Sequence, residues 1–125
     1  MDCLYVWEEK ETRRSSVKFV TFIKPIPQNQ KLSRGKGSRL YLNKDYVITW
    51  DAIGTQWRSQ YHGEPIEGKT SVSIEFGWNR MDIDSCVKSI LDTLQGIAYV
   101  NDKHVSKLSV IRIDEPEIRV TVEQL

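Results

Sequence analysis

The sequence predicts an α/β or α+β domain: one mixed β-sheet with two main helices. Three observations carry that expectation. Apolar and polar residues alternate along TSVSIEFGW, apolar residues recur at helical spacing in two separate stretches, and short alternating runs return toward the carboxy terminus. Strand, helix, strand, helix and then strands is the order that results.

Each element has its own signal. SSVKFVTFI reads as a strand with Val17, Phe19, Thr21 and Ile23 on one face, while Val20 and Phe22 suggest burial on the other face too. Pro25 and Pro27 end it, because proline cannot donate to a ladder. A long, polar, basic loop follows through KLSRGKGSRLYLNK. From Lys44 to Tyr61 the positions Tyr46, Trp50, Ile53, Trp57 and Tyr61 are spaced by three or four, as a helix requires, with Asn43 as N-cap. HGEPIEGK is a turn, and Val72, Ile74, Phe76 and Trp78 then alternate as a half-buried strand. In the second helix Ile83, Val87, Ile90, Leu91 and Leu94 form an apolar face, Asp84, Lys88 and Asp92 form another, and Gly96 ends the run. GIAYV, VSKLSVIRI and EIRVTV read as three closing strands.

A chain of 125 residues, 39% hydrophobic and 28% charged, suits one domain over residues 1 to 125 that buries a core without disulfides. Residues 1 to 14 read as an amino-terminal extension that can add a short strand or stay loose. No apolar run is long enough to span a bilayer and no secretory leader opens the chain, so a cytoplasmic protein is expected. Cys3 and Cys86 lack zinc-ligand spacing, and His62 and His104 form no helical pair. Charge is unevenly distributed. The formal net charge is +1, but residues 1 to 80 carry +4 and residues 81 to 125 carry −3. Six basic residues and no acidic one lie between Lys24 and Lys44, a stretch suited to a polyanion or to simple solvation.

The chemistry concentrates in NRMDIDSCVKSILDTLQGIAYVNDKHV. Asp82 and Asp84 stand at the entry to the second helix, where extended backbone would aim both carboxylates at one point. Two close carboxylates repel unless a cation lies between them, and Mg²⁺ favours such hard oxygen ligands while keeping waters that phosphate can replace. Lys88 lies one turn on. If GIAYV returns as a strand alongside the helix, it brings Asp102 level with Asp82. The same residues also suit a plainer reading: aspartates as helix caps, Lys88 as half of an i, i+4 pair, and NDK as turn chemistry.

The pattern Asp82-Ile83-Asp84, Lys88, Leu91-Asp92 with Leu94 and Gly96, and Asn101-Asp102 with Val105 resembles the signature of the RusA family of Holliday-junction resolvases, which are crossover junction endodeoxyribonucleases. The likeness extends upstream through PIPQNQ and YLNKDY. It implies a RusA-like fold and a magnesium-dependent, structure-specific endonuclease that resolves four-way junction DNA by paired symmetric nicks in recombination and repair. It further implies a homodimer, Mn²⁺ as a substitute for Mg²⁺, no membrane partner, and a bacterial cell as the setting, commonly through a phage or prophage. By the same resemblance Asp82, Asp84 and Asp102 are metal ligands, these three with Lys88 are catalytic, Asp92 supports them, and Lys31, Arg34, Lys36, Arg39 and Lys44 hold DNA. Ser85, Asn101 and His104 depart from the family pattern, which has asparagine, aspartate and glutamine there. Two alternatives stand beside this reading: a module that binds branched or single-stranded nucleic acid without cutting it, and a different Asp-x-Asp metal enzyme such as a nucleotide-sugar transferase. The chain has no Gly-rich phosphate loop for the latter.

Overall fold

Alternation of polar Ser16 and Lys18 with apolar Val17 and Phe19 places Ser16–Thr21 in a strand, β1, whose Val17, Phe19 and Thr21 turn inward and whose Ser16 and Lys18 turn out. The computed structural model describes residues 16–34 and 40–125; the expected amino-terminal extension lies outside them. A 3₁₀ turn at Gln28–Gln30 follows the prolines, and two short strands, β2 (Leu32–Arg34) and β3 (Leu40–Leu42), pair antiparallel. Helix α1 (Lys44–Gln60) begins as expected at Asn43, whose side chain accepts from the Asp45 and Tyr46 amides at 2.8 and 3.3 Å. Strand β4 (Thr70–Phe76) leads into helix α2 (Ile83–Leu94), and β5 (Val105–Arg112) and β6 (Ile118–Gln124) complete the order.

The main sheet is mixed, as predicted, in the order β1-β6-β4-β5. β6 runs antiparallel to both β1 and β4, whereas β5 lies parallel to β4, so α2 sits within the β4 to β5 crossover. Val72, Ile74 and Phe76 of β4 meet Ile118, Val120 and Val122 of β6 on the buried face. Trp50, Ile53 and Trp57 from α1 and Cys86, Ile90 and Leu94 from α2 complete that core. The opposite face is polar: Arg119 pairs with Glu75 at 3.0 Å, with Glu115 at 3.5 Å, and with Glu117. At about 44% side-chain exposure these pairs add little stability.

Four expectations change. The stretch read as one long polar loop carries the paired strands β2 and β3, whose partners are supplied by each other across the loop and so leave no local pattern. Phe22 is 66% exposed, so β1 is buried on one face only. GIAYV is not a strand: residues 96–98 form a turn, with Gly96 at φ 86° and its amide donating to the Tyr99 carbonyl at 2.7 Å. The cause is the left-handed glycine, which reverses the chain immediately after the helix. The apolar face of α2 is also divided. Cys86, Ser89, Ile90 and Leu94 reach the core, and Ile83, Val87 and Leu91 are left half-buried along its side.

Candidate active site

Two hollows flank the start of α2, and the predicted residues are shared between them. The turn into the helix is short, and the Arg112 guanidinium from β5 holds it by donating to the carbonyls of Trp78 at 3.1 Å and Met81 at 2.9 Å. Gly77 lets the 115–117 turn pack against the start of this segment, because a Cβ there would come within 1.6 Å of the Glu115 carbonyl oxygen. Asp82 occupies the N-cap position, yet its side chain makes no cap hydrogen bond among the described residues. The plainer capping role is therefore not performed by this carboxylate.

The first hollow lies between α2 and β5. Ile83, Val87 and Leu91 form one wall and Leu108 and Val110 the other, with Asp84, Lys88 and Asp102 lining the same space of about 430 Å³. Asp102 reaches it by the turn, which is braced in three places. Tyr99 donates its hydroxyl to the Leu91 carbonyl at 2.7 Å, the Asp102 amide donates to Gln95 Oε1 at 3.0 Å, and the Val100 amide donates to the Ile66 carbonyl at 3.0 Å. Asn101, not Asp102, caps the following 3₁₀ turn (Asp102–His104), accepting from the Lys103 amide at 2.9 Å. Its position in the departure from the family pattern thus has a local structural use.

Asp82 lies elsewhere. It lines the second hollow with Trp78, Arg80, Lys24 and the Pro25–Pro27 segment. Asp82 at the cap and Asp84 inside the first turn differ in backbone conformation, so the extended geometry that would aim them together ends between them. Both still act on Cys86, which is completely buried; burial first, then the charges of Asp82 and Asp84, push its thiol up to about 12. Tyr99 is raised likewise, by burial and then by Asp102 and Asp92. Four carboxylates thus surround one helix, and among the described residues no three His, Cys, Asp or Glu side chains gather closely enough to enclose a metal.

The donor chemistry nevertheless suits Mg²⁺. This ion is commonly held by one or two carboxylates, with water and substrate phosphate completing the shell, and Asp84 with Asp102 provides two hard oxygen donors beside one accessible space. Lys88 Nζ is 3.4 Å from Asp92 Oδ1, with 65% of its side chain exposed, so the pair is weak and the ammonium is free to reorient. Asp92 therefore touches Lys88, and its charge also reaches Tyr99.

Of the expected DNA-holding residues, Lys31 and Lys44 are seen beside β2 and at the start of α1, and Lys36 and Arg39 lie outside the described residues. Arg34 ends β2. Residues that the sequence reading passed over include Lys24, Arg80, Arg112 and Trp78. Arg80 was within reach, since a cation two residues before a carboxylate pair suits phosphate chemistry; Arg112 was not, because its role depends on strand pairing. No helix of the described residues is long and apolar enough to cross a membrane. No curated protein matches the chain. Residues 23–123, nearly the whole chain and including both hollows, match the family Endodeoxyribonuclease RusA, and the chain belongs to that family.

Proposed function

We propose that the protein is a magnesium-dependent, structure-specific endodeoxyribonuclease that resolves four-way DNA junctions, working as a homodimer. Family membership supports the nuclease chemistry. The observation that carries the assignment of residues is that Asp84, Lys88 and Asp102, from a helix start and a distant turn, border the same largely apolar hollow.

In this reading Asp84 and Asp102 would hold the ion, with Mn²⁺ as a substitute, and Asp82, at the N-cap of the same helix, would be a third ligand. The bound ion supplies positive charge that lowers the pKa of water and shields phosphate oxygens. Lys88 leaves its exposed partner Asp92 and donates to a phosphate oxygen, offsetting charge as the phosphodiester is attacked. Asp92 is the weak resting partner that the ammonium leaves. The apolar side chains of Ile83, Val87, Leu91, Leu108 and Val110 wall the space beside these charges. Lys31, Arg34, Lys36, Arg39 and Lys44 grip backbone phosphates, and one acidic site per chain makes two opposed cuts a natural task for a twofold dimer.

The test uses an end-labelled four-way junction and a linear duplex of matching arms, with and without Mg²⁺, alongside Asp84→Asn and Asp102→Asn. Paired metal-dependent nicks in the junction alone, reduced at least about a hundredfold in either variant, are expected. Junction binding without cleavage by any of the proteins in Mg²⁺ or Mn²⁺ would replace this reading with a non-cutting binding module.

A further inference from the structure

The second hollow has a volume of about 680 Å³, within the range of roughly 300–1,000 Å³ typical of sites for small organic ligands. Its lining is chemically mixed in a particular way. Trp78 and the Pro25–Pro27 segment offer flat apolar surface, Gln30 and Asn79 offer amides, and the exposed cations Lys24 and Arg80 stand beside them. Asp82 forms part of the same wall. A lone anion would have no use for the indole and prolines, and a purely apolar ligand would have no use for two cations. A nucleotide uses both.

The walls are held in advance. Trp50 Nε1 donates to the Ile26 carbonyl at 2.9 Å, fixing the proline segment against α1, and the Gln30 amide donates to the Pro27 carbonyl at 2.9 Å. Arg112 fixes the opposite wall through the carbonyls of Trp78 and Met81. Neither wall needs to be rebuilt when a ligand enters.

We propose that this hollow receives one nucleotide swung out of the DNA stack near the junction's exchange point, its base between Trp78 and the Pro25–Pro27 wall and its phosphates toward Lys24 and Arg80. The identity of the ligand as junction DNA rests on the nuclease reading above. Extruding a base costs least where pairing or stacking is already interrupted, so the pocket converts a branched structure into a binding preference. It also draws the strand past Asp82, toward the hollow that contains Asp84 and Asp102.

The experiment uses the full chain and junctions carrying a single abasic residue at successive positions around the exchange point. Affinity is measured by fluorescence anisotropy in Ca²⁺, and cleavage is measured separately in Mg²⁺ and Mn²⁺. Thr49→Phe fills the hollow from α1, and Gln30→Phe narrows it from an exposed position that tolerates change; circular dichroism confirms that each variant folds. An abasic residue at one position is expected to weaken wild-type binding about tenfold, the scale of one base stacked on an aromatic ring. The filling variants should lose a similar factor on intact DNA and nothing more on the abasic junction. Indifference to every abasic position, or losses that simply multiply, would overturn the proposal. Cleavage without the abasic effect removes the pocket and leaves the nuclease; the abasic effect without cleavage does the reverse.

Discussion

Cys86 shows how burial and charge act in one direction on a single group. Its thiol sits in the core below Asp82 and Asp84 and titrates near 12, against 9.0 for a free thiol. The unfolded chain therefore loses this proton first. Below pH 9 the raised value leaves stability unchanged, and between pH 9 and 12 it removes stability at up to about 1.4 kcal/mol per pH unit. Thermal melting across pH 7 to 11 should show this decline, and Cys86→Ala should flatten the part between pH 9 and 10. A second residue-scale prediction concerns Gln28. Its Oε1 accepts from the Tyr46 hydroxyl at 3.1 Å and from Ser89 Oγ at 2.9 Å, and Tyr46 and Ser89 also touch each other. One amide thus ties the segment after β1 to both helices. Tyr46→Phe should cost about 1 kcal/mol in urea unfolding, with the ring's packing retained.

At the scale of elements, the join between β4 and α2 governs the site. Gly77 admits the 115–117 turn and Arg112 clamps the carbonyls that follow. Gly77→Ala is expected to destabilise by roughly 3 kcal/mol or more, because backbone must move rather than a flexible side chain. Arg112→Ala should cost less in stability and more in function, since it releases the segment that carries Asp82; a loss of cleavage exceeding the loss of melting temperature would show this. Helix α2 was visible in the sequence, but its periodicity overstated the core face. Ile83, Val87 and Leu91 share a stripe with the core residues in projection, yet β5 approaches from the side and turns that stripe into the wall of a hollow.

For the whole molecule, the proposed function assigns the holding of a polyanion to the basic stretch from Lys24 to Lys44 and its cutting to the acidic surroundings of α2. Junction affinity should fall steeply between 50 and 200 mM salt, and Lys31→Ala with Lys44→Ala should reduce the slope of log K against log salt by about two. Sedimentation should give two copies of the 14.6 kDa chain; a monomer that still makes paired nicks would contradict the dimer. β5 supplies an exposed edge to the main sheet with Leu108 and Ile111 more than 40% exposed, the kind of apolar surface a partner can cover.

The sequence by itself determined the two helices, the four strands of the main sheet and the family signature, because local periodicity and caps depend on neighbours a few residues apart. Asn43 is a cap, Gly96 a helix end, and β4 to β6 occupy their expected stretches. It also marked Asp82, Asp84, Lys88 and Asp102 as the residues to watch. Only the tertiary structure decided which of them meet. Asp84, Lys88 and Asp102 border one hollow and Asp82 borders another, Asp82 standing at the extended N-cap and Asp84 within the first turn of the helix. The pairing of β5 beside β4, invisible to any local pattern, then supplies one wall of the first hollow and the Arg112 clamp on the turn into α2.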